Sequence, residues 1–123
     1  MKFKLSQAAG FTMVEIMIVV CILALLLAIA VPNYVKQRAS AQANTCINTL
    51  TKIEAAANEF ALINGKKTGD VINYPADLSP YIKLNSNGLI PPCPAGGTYQ
   101  IPAVGAFPTC SLSNQVNPPH IVP

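Results

Sequence analysis

The chain has 123 residues, of which 51% are hydrophobic and only 11% are charged, and its formal net charge is +3. This length allows one small domain with an extension. The charge is mild and no block of basic residues is interleaved with aromatic ones, so the composition gives little case for nucleic-acid binding.

An apolar run extends from Phe11 to Val31 and contains a single charged residue, Glu15. As a helix this run would span about 31 Å, roughly the thickness of a bilayer core. Lys2 and Lys4 precede the run, which favours a cytoplasmic N-terminus and export of the rest of the chain. The sequence therefore predicts one transmembrane helix over residues 11–31.

Three simpler interpretations of this segment compete. A cleaved secretory signal has an apolar stretch of only about 7–15 residues, and this run is longer. A lipoprotein anchor at Cys21 expects a small residue before the cysteine, where Val20 stands. A plain single-pass anchor stays open, but it does not explain Glu15, since a charge near the membrane centre costs up to about 3 kcal/mol and usually marks a function.

The segment from Gly10 to Glu15, with the basic leader before it and Pro32 beyond it, resembles type IV prepilins and pseudopilins. The resemblance implies that a prepilin peptidase removes residues 1–10 by cutting between Gly10 and Phe11, and methylates the new N-terminus on Phe11. It implies that Glu15 sets subunit register, because a glutamate here can meet the amino group of a neighbouring subunit. Assembly would take place at the bacterial inner membrane, with other pilins, an assembly platform and an ATPase.

The function that this resemblance implies is a structural subunit of a type IV pilus-like filament, not an enzyme. The alternative is a pseudopilin in the periplasmic pseudopilus of a type II secretion system. A membrane-tethered binding module is a more remote alternative. The sequence has no catalytic constellation and implies no cofactor, since His120 is the only histidine and no glycine-rich phosphate loop follows a predicted strand.

Residues 32–64 carry apolar residues at spacings of three and four, which predicts an amphipathic second half of one long helix. The predicted buried stripe comprises Ala39, Ala43, Cys46, Ile47, Leu50, Ile53, Ala57, Phe60 and Ala61. Gly65 should end this helix. Pro32 should bend or loosen it, and local melting at this proline is left open.

The last region, residues 65–123, predicts a short helical turn over 75–82 and a hairpin formed by 97–101 and 106–112. A third short strand near Leu89 is an open alternative. A sheet with one apolar face needs a cover, and the helical stripe can supply it. The fold class is thus α+β and pilin-like, with a long helix on a small antiparallel sheet and a loose proline-rich tail over 114–123.

The cysteines offer several chemistries. Cys93 and Cys110 flank the predicted hairpin, so we expect a disulfide between them in an exported domain, with Cys46 reduced and buried. A bond from Cys46 to either partner is the rival. A metal site from these three cysteines and His120 matches no recurrent zinc spacing, and Asp70 with Asp77 is weak support for calcium, so no metal is expected. The segments around these cysteines also resemble a group of short bacterial pilin-like proteins.

Overall fold

The computed structural model describes residues 10–122, so Lys2 and Lys4 of the predicted leader lie outside the described residues. The chain forms one helix α1, Met13–Asn64, a 3-10 helix, Ser79–Tyr81, and the strands β1, Tyr99–Gln100, and β2, Thr109–Cys110. A long helix and a small antiparallel sheet confirm the predicted α+β class. The chain divides into two compact units, one ending at Lys36 and the other beginning at Gln37.

Both ends of α1 are capped by local chemistry. The backbone N–H of Glu15 donates a hydrogen bond of 3.1 Å to the Thr12 hydroxyl, which satisfies one of the free donors of the first turn. At the other end Gly65 has a φ of 63°, and the N–H of Lys66 donates to the Ala61 carbonyl at 2.8 Å. This is the glycine-dependent C-terminal motif, and it confirms Gly65 as the residue that stops the helix.

The helix runs through Pro32 without interruption. Proline supplies no N–H to the carbonyl four residues earlier, so this turn has one backbone hydrogen bond fewer than its neighbours. Residues on both sides are nevertheless α-helical. The melted segment that the sequence left open is therefore absent at this proline in the part of the chain that the structure describes.

The N-terminal unit exposes an apolar surface. Among residues 10–122, α1 alone is long and apolar enough to cross a membrane, and its most apolar stretch buries none of its side chains against protein. Leu25, for example, is 70% exposed. Because water disfavours such a surface, this half of α1 requires a lipid or protein environment around it.

The C-terminal unit has its own hydrophobic core, built around the amphipathic part of α1. The core side chains with the least exposure are Cys46, Leu50, Ile53 and Leu78. Most of the predicted stripe is buried, but Ala39 and Ile47 are only half-buried. Thr49, a polar residue that the predicted stripe does not include, is also buried, and its hydroxyl donates to the Thr45 carbonyl at 3.0 Å, which makes burial tolerable.

The hairpin is shorter than predicted and its register differs by one residue. Tyr99 pairs with Cys110, and Gln100 pairs with Thr109. A hairpin of the two predicted strands centred near Val104 would instead place Cys110 opposite about Thr98. The observed pairing puts the side chains of Tyr99 and Cys110 on the same buried face, which is the face that the core requires.

Two other segments complete the C-terminal unit. The proposed strand near Leu89 does not form, because residues 85–89 close a turn in which the Asn85 side chain accepts hydrogen bonds from the N–H groups of Asn87 and Leu89. Instead, Val71 forms an antiparallel bridge with Ala103. The short helical turn predicted over 75–82 is present as the 3-10 helix Ser79–Tyr81.

The proline-rich C-terminal segment is not loose as predicted. His120 is only 2% exposed, and its Nδ1 atom lies 3.3 Å from the Cys93 sulfur. The sequence signals loops here because prolines prevent helix and ladder hydrogen bonds, but a segment without regular structure can still pack. The tail therefore packs against the C-terminal unit and places the imidazole of His120 in its core.

Candidate functional site

The first candidate site is the start of α1, where the sequence predicted processing and assembly. Gly10 and Phe11 are exposed, with Phe11 at 81%, and both precede the first helical residue. An accessible, non-helical stretch is the form in which a peptidase can bind a chain. The structure is thus compatible with cleavage here, and the cleavage itself stays a prediction.

Glu15 occupies the first turn of α1 and its side chain is exposed. Its backbone N–H is engaged by Thr12, whereas its carboxylate has no hydrogen-bond or ion-pair partner among the described residues. A carboxylate is favoured in a first helical turn by the positive end of the helix dipole. Glu15 is therefore a carboxyl side chain in the first turn of the apolar half of α1.

The second candidate site is a cluster of three cysteines and a histidine in the C-terminal unit, and we call it the Cys–His cluster. Cys46 comes from α1, Cys93 from the loop before β1, Cys110 from β2 and His120 from the tail. The three sulfurs and the imidazole nitrogen all lie within 4.8 Å of one another. All four residues are buried, at 0–3% exposure.

Two glycines make this approach sterically feasible. Gly96, with a φ of 92°, closes a turn in which its N–H donates to the Cys93 carbonyl at 2.9 Å. A Cβ on Gly97 would lie only 2.6 Å from the Cys110 sulfur. The loop can therefore fold back against β2 only because residue 97 has no side chain.

The electrostatics of the cluster differ from one thiol to the next. Burial raises the pKa of Cys46 to about 12. Burial acts in the same direction on Cys93, but hydrogen bonds from the backbone N–H groups of Ala95 and Gly97, together with those from the Cys46 and Cys110 thiols, hold the pKa of Cys93 below its ordinary value. The Cys93 sulfur therefore takes a negative charge more readily than the Cys46 sulfur.

Tyr99 lies against this cluster. Its hydroxyl is buried beside Cys46 and Thr49 but makes no hydrogen bond of good geometry. Burial raises the pKa of Tyr99, so the group stays a neutral donor. A buried hydroxyl without a hydrogen-bond partner is uncommon in proteins, and the side chains nearest to this one belong to Cys46 and Thr49.

The sequence prediction and the geometry agree on part of this site. Cys93 and Cys110 come together as expected from the predicted hairpin, but the Cys46 sulfur also lies within 4.8 Å of both, so the Cys93–Cys110 disulfide stays a prediction. Cys46, Cys93 and Cys110 are free thiols in the part of the chain that the structure describes. From the sequence, His120 was not expected to be a metal ligand, because its spacing from the cysteines matches no zinc pattern. Its position beside them depends on how the tail folds, which the sequence pattern does not indicate.

The chain is similar to known fimbrial proteins over about half of its length. A fimbrial protein of Pseudomonas aeruginosa is 40% identical over 58 residues, which are 47% of this chain and 37% of that protein. The type IV major fimbrial protein FimA of Dichelobacter nodosus is 36% identical over 65 residues, covering 53% of this chain and 41% of FimA. The chain thus spans about two fifths of the length of these relatives.

A third relative is covered over most of its length. The ComG operon protein 3 homolog of Bacillus licheniformis is 27% identical over 92 residues, which are 75% of this chain and 88% of that protein. No family model and no solved structure matches the chain. The chain is thus similar to type IV fimbrial proteins and to a ComG operon protein 3 homolog, and it combines an apolar start of α1 with a small antiparallel sheet.

Proposed function

We propose that this protein is a structural subunit of a type IV pilus-like filament and that it polymerises through the apolar half of α1. The observation that carries the proposal is an exposed apolar helix with one carboxylate in its first turn. Each Val, Leu or Ile that such a helix buries in a bilayer or against other helices contributes about 1.5–3 kcal/mol. The same surface therefore serves first as a membrane anchor and then as the core of a filament.

Glu15 supplies specificity to this packing. Removal of residues 1–10 would place a new amino group on Phe11, one helical turn from Glu15. Within one subunit the first-turn geometry and the Thr12 cap hold Glu15 in place. In a filament the carboxylate can pair with the amino group of the next subunit, and an apolar surround makes that pair selective for one register.

Processing and location follow from the same segment. A prepilin peptidase at the inner membrane would cut between Gly10 and Phe11 and methylate Phe11. The C-terminal unit from Gln37 onward would be exported, and an assembly platform with its ATPase would lift the subunit into the filament. In this proposal the subunit has a structural role and catalyses no reaction.

The test is to replace Glu15 and separate anchoring from assembly. Glu15→Ala should reach the membrane fraction in normal amounts, because it removes a charge from the apolar run. It should be depleted from sheared filaments, since loss of one partner of a buried pair costs about 3–5 kcal/mol, or at least a hundredfold in subunit association.

Glu59→Ala is the matched control. Glu59 lies on the same helix but is an exposed residue of the C-terminal unit, outside the apolar run. It should leave the filament yield unchanged. A normal yield of filaments from Glu15→Ala would show that Glu15 does not make the assembly contact.

A further inference from the structure

The Cys–His cluster contains the ligand set of a closed metal site. Four elements that are distant in sequence each contribute one side chain, and the four ligand atoms converge within 4.8 Å. Structural zinc sites are four-coordinate and are formed by cysteine and histidine, with three cysteines and one histidine among the common sets. The residue types and their number therefore match zinc.

The distances between the ligand atoms also match those of a tetrahedral zinc site. Zinc–sulfur bonds of about 2.3 Å in a tetrahedron place two sulfurs about 3.8 Å apart, and a zinc–nitrogen bond of about 2.0 Å places sulfur and nitrogen about 3.5 Å apart. The Cys93 Sγ and His120 Nδ1 atoms are 3.3 Å apart. No pair of ligand atoms in the cluster is more than 4.8 Å apart, which exceeds the sulfur–sulfur edge of the tetrahedron by about 1 Å at most, a difference that small side-chain rotations can remove.

A metal would use every group in the cluster, whereas a disulfide would not. Any single disulfide joins two of the three sulfurs and leaves one thiol and the imidazole of His120 buried beside it. Buried polar groups without partners cost free energy. One tetrahedral ion engages all four groups together.

The surroundings of the cluster fit metal-bound thiolates. The Tyr99 hydroxyl is buried beside Cys46 without an acceptor, and a thiolate there would accept its hydrogen bond. Hydrogen bonds to ligand atoms from the next layer of residues are a regular feature of metal sites. At 0–3% exposure the sulfurs are also shielded from oxidants in the solvent.

We propose that the C-terminal unit holds one structural Zn²⁺ ion, bound by Cys46, Cys93, Cys110 and His120. Binding displaces three thiol protons to the solvent and uses the neutral imidazole, so the site carries one net negative charge. No ligand position is left for water or substrate, which makes the site structural. The ion would tie the tail to α1 and to the hairpin.

This site and the Cys93–Cys110 disulfide predicted from the sequence exclude each other, so one experiment can decide between them. The full-length chain is isolated from membranes in detergent, without chelator and without reductant. Its zinc content is measured by elemental mass spectrometry, and its free thiols are counted by alkylation after denaturation with a chelator. The proposal expects one zinc ion per chain and four alkylated cysteines.

Variants of the same chain locate the site. His120→Ala should lower the zinc affinity at least tenfold, and Tyr99→Phe should lower it by about tenfold, as loss of a supporting hydrogen bond does. Cys21→Ser is the matched control, because Cys21 is an exposed residue of the apolar helix and should bind zinc as the unaltered chain does. His120→Ala removes a tail residue and leaves the helix and hairpin sequences intact.

Cobalt gives a readout that does not depend on mutant folding. Co²⁺ loaded into the unaltered chain should show the sulfur-to-metal charge-transfer absorption of a tetrahedral thiolate site. A disulfide among Cys46, Cys93 and Cys110 in a zinc-free chain would overturn the proposal. Equal zinc affinity of His120→Ala and Cys21→Ser, or octahedral cobalt without thiolate absorption, would overturn it as well.

Discussion

Replacement of Leu50 by alanine tests whether packing against α1 stabilises the C-terminal unit. Leu50 has no exposed surface and lies in the core beside Cys46 and Ile53. Leu→Ala at a buried site costs about 2–5 kcal/mol, and a position on a long helix has little freedom to collapse into the cavity. We expect a loss of about 3 kcal/mol, which for a unit of this size lowers the midpoint of thermal unfolding by roughly 12–24 °C.

The matched control is Leu62→Ala, on the same helix but 84% exposed. Both variants make the same change in helix propensity, so the difference between them measures packing alone. Leu62→Ala should change stability by about 0.5 kcal/mol or less.

The assay is urea unfolding of the full chain in detergent, followed by the near-ultraviolet circular dichroism of tyrosine. Tyr74, Tyr81 and Tyr99 lie in the C-terminal unit and supply most of that signal. Equal stabilities of Leu50→Ala and Leu62→Ala would refute the packing of the helical stripe against the sheet.

Three further predictions concern the same unit. Gly97→Ala should destabilise it by about 1–3 kcal/mol in the same urea assay, because the new Cβ would lie 2.6 Å from the Cys110 sulfur; an unchanged midpoint would contradict the close approach of the loop to β2. Burial raises the pKa of Tyr74, so its contribution to stability is complete below its ordinary pKa of about 10 and is lost as the pH rises beyond that value. Tyr74→Phe should therefore reduce the loss of stability in alkali, and identical pH profiles would speak against burial of that hydroxyl. A fragment beginning at Ala39 lacks the apolar run and should be soluble, with helix and some strand in its far-ultraviolet circular dichroism; aggregation or absence of helix would contradict an independent unit.

The helix could be predicted from the sequence nearly residue by residue because its signals are local. The apolar run, the spacing of Leu50 and Ile53, and Gly65 at the end each depend only on neighbours along one helix. The burial of Thr49 was not predicted, because a pattern of residue types counts threonine as polar. In the structure its hydroxyl donates to the carbonyl one turn earlier, so the side chain can be buried with its hydrogen bond satisfied.

The C-terminal region was harder to predict because its structure depends on contacts between distant residues. The hairpin was expected, but a shift of one residue in register requires knowledge of which face the core covers. The burial of His120 had no sequence signal at all, since a proline-rich segment carries no periodicity. The four residues of the Cys–His cluster could therefore be listed from the sequence, but their convergence in one site could not be predicted.

The proposed function requires that this chain is built into a filament through a trimmed N-terminal helix. The most direct measurement is the intact mass of this chain in filaments sheared from cells that express it together with a prepilin peptidase. We expect the chain to be present in the filaments and to begin with a methylated Phe11. Absence of the chain from the filaments, or a filament subunit that still carries residues 1–10, would contradict it.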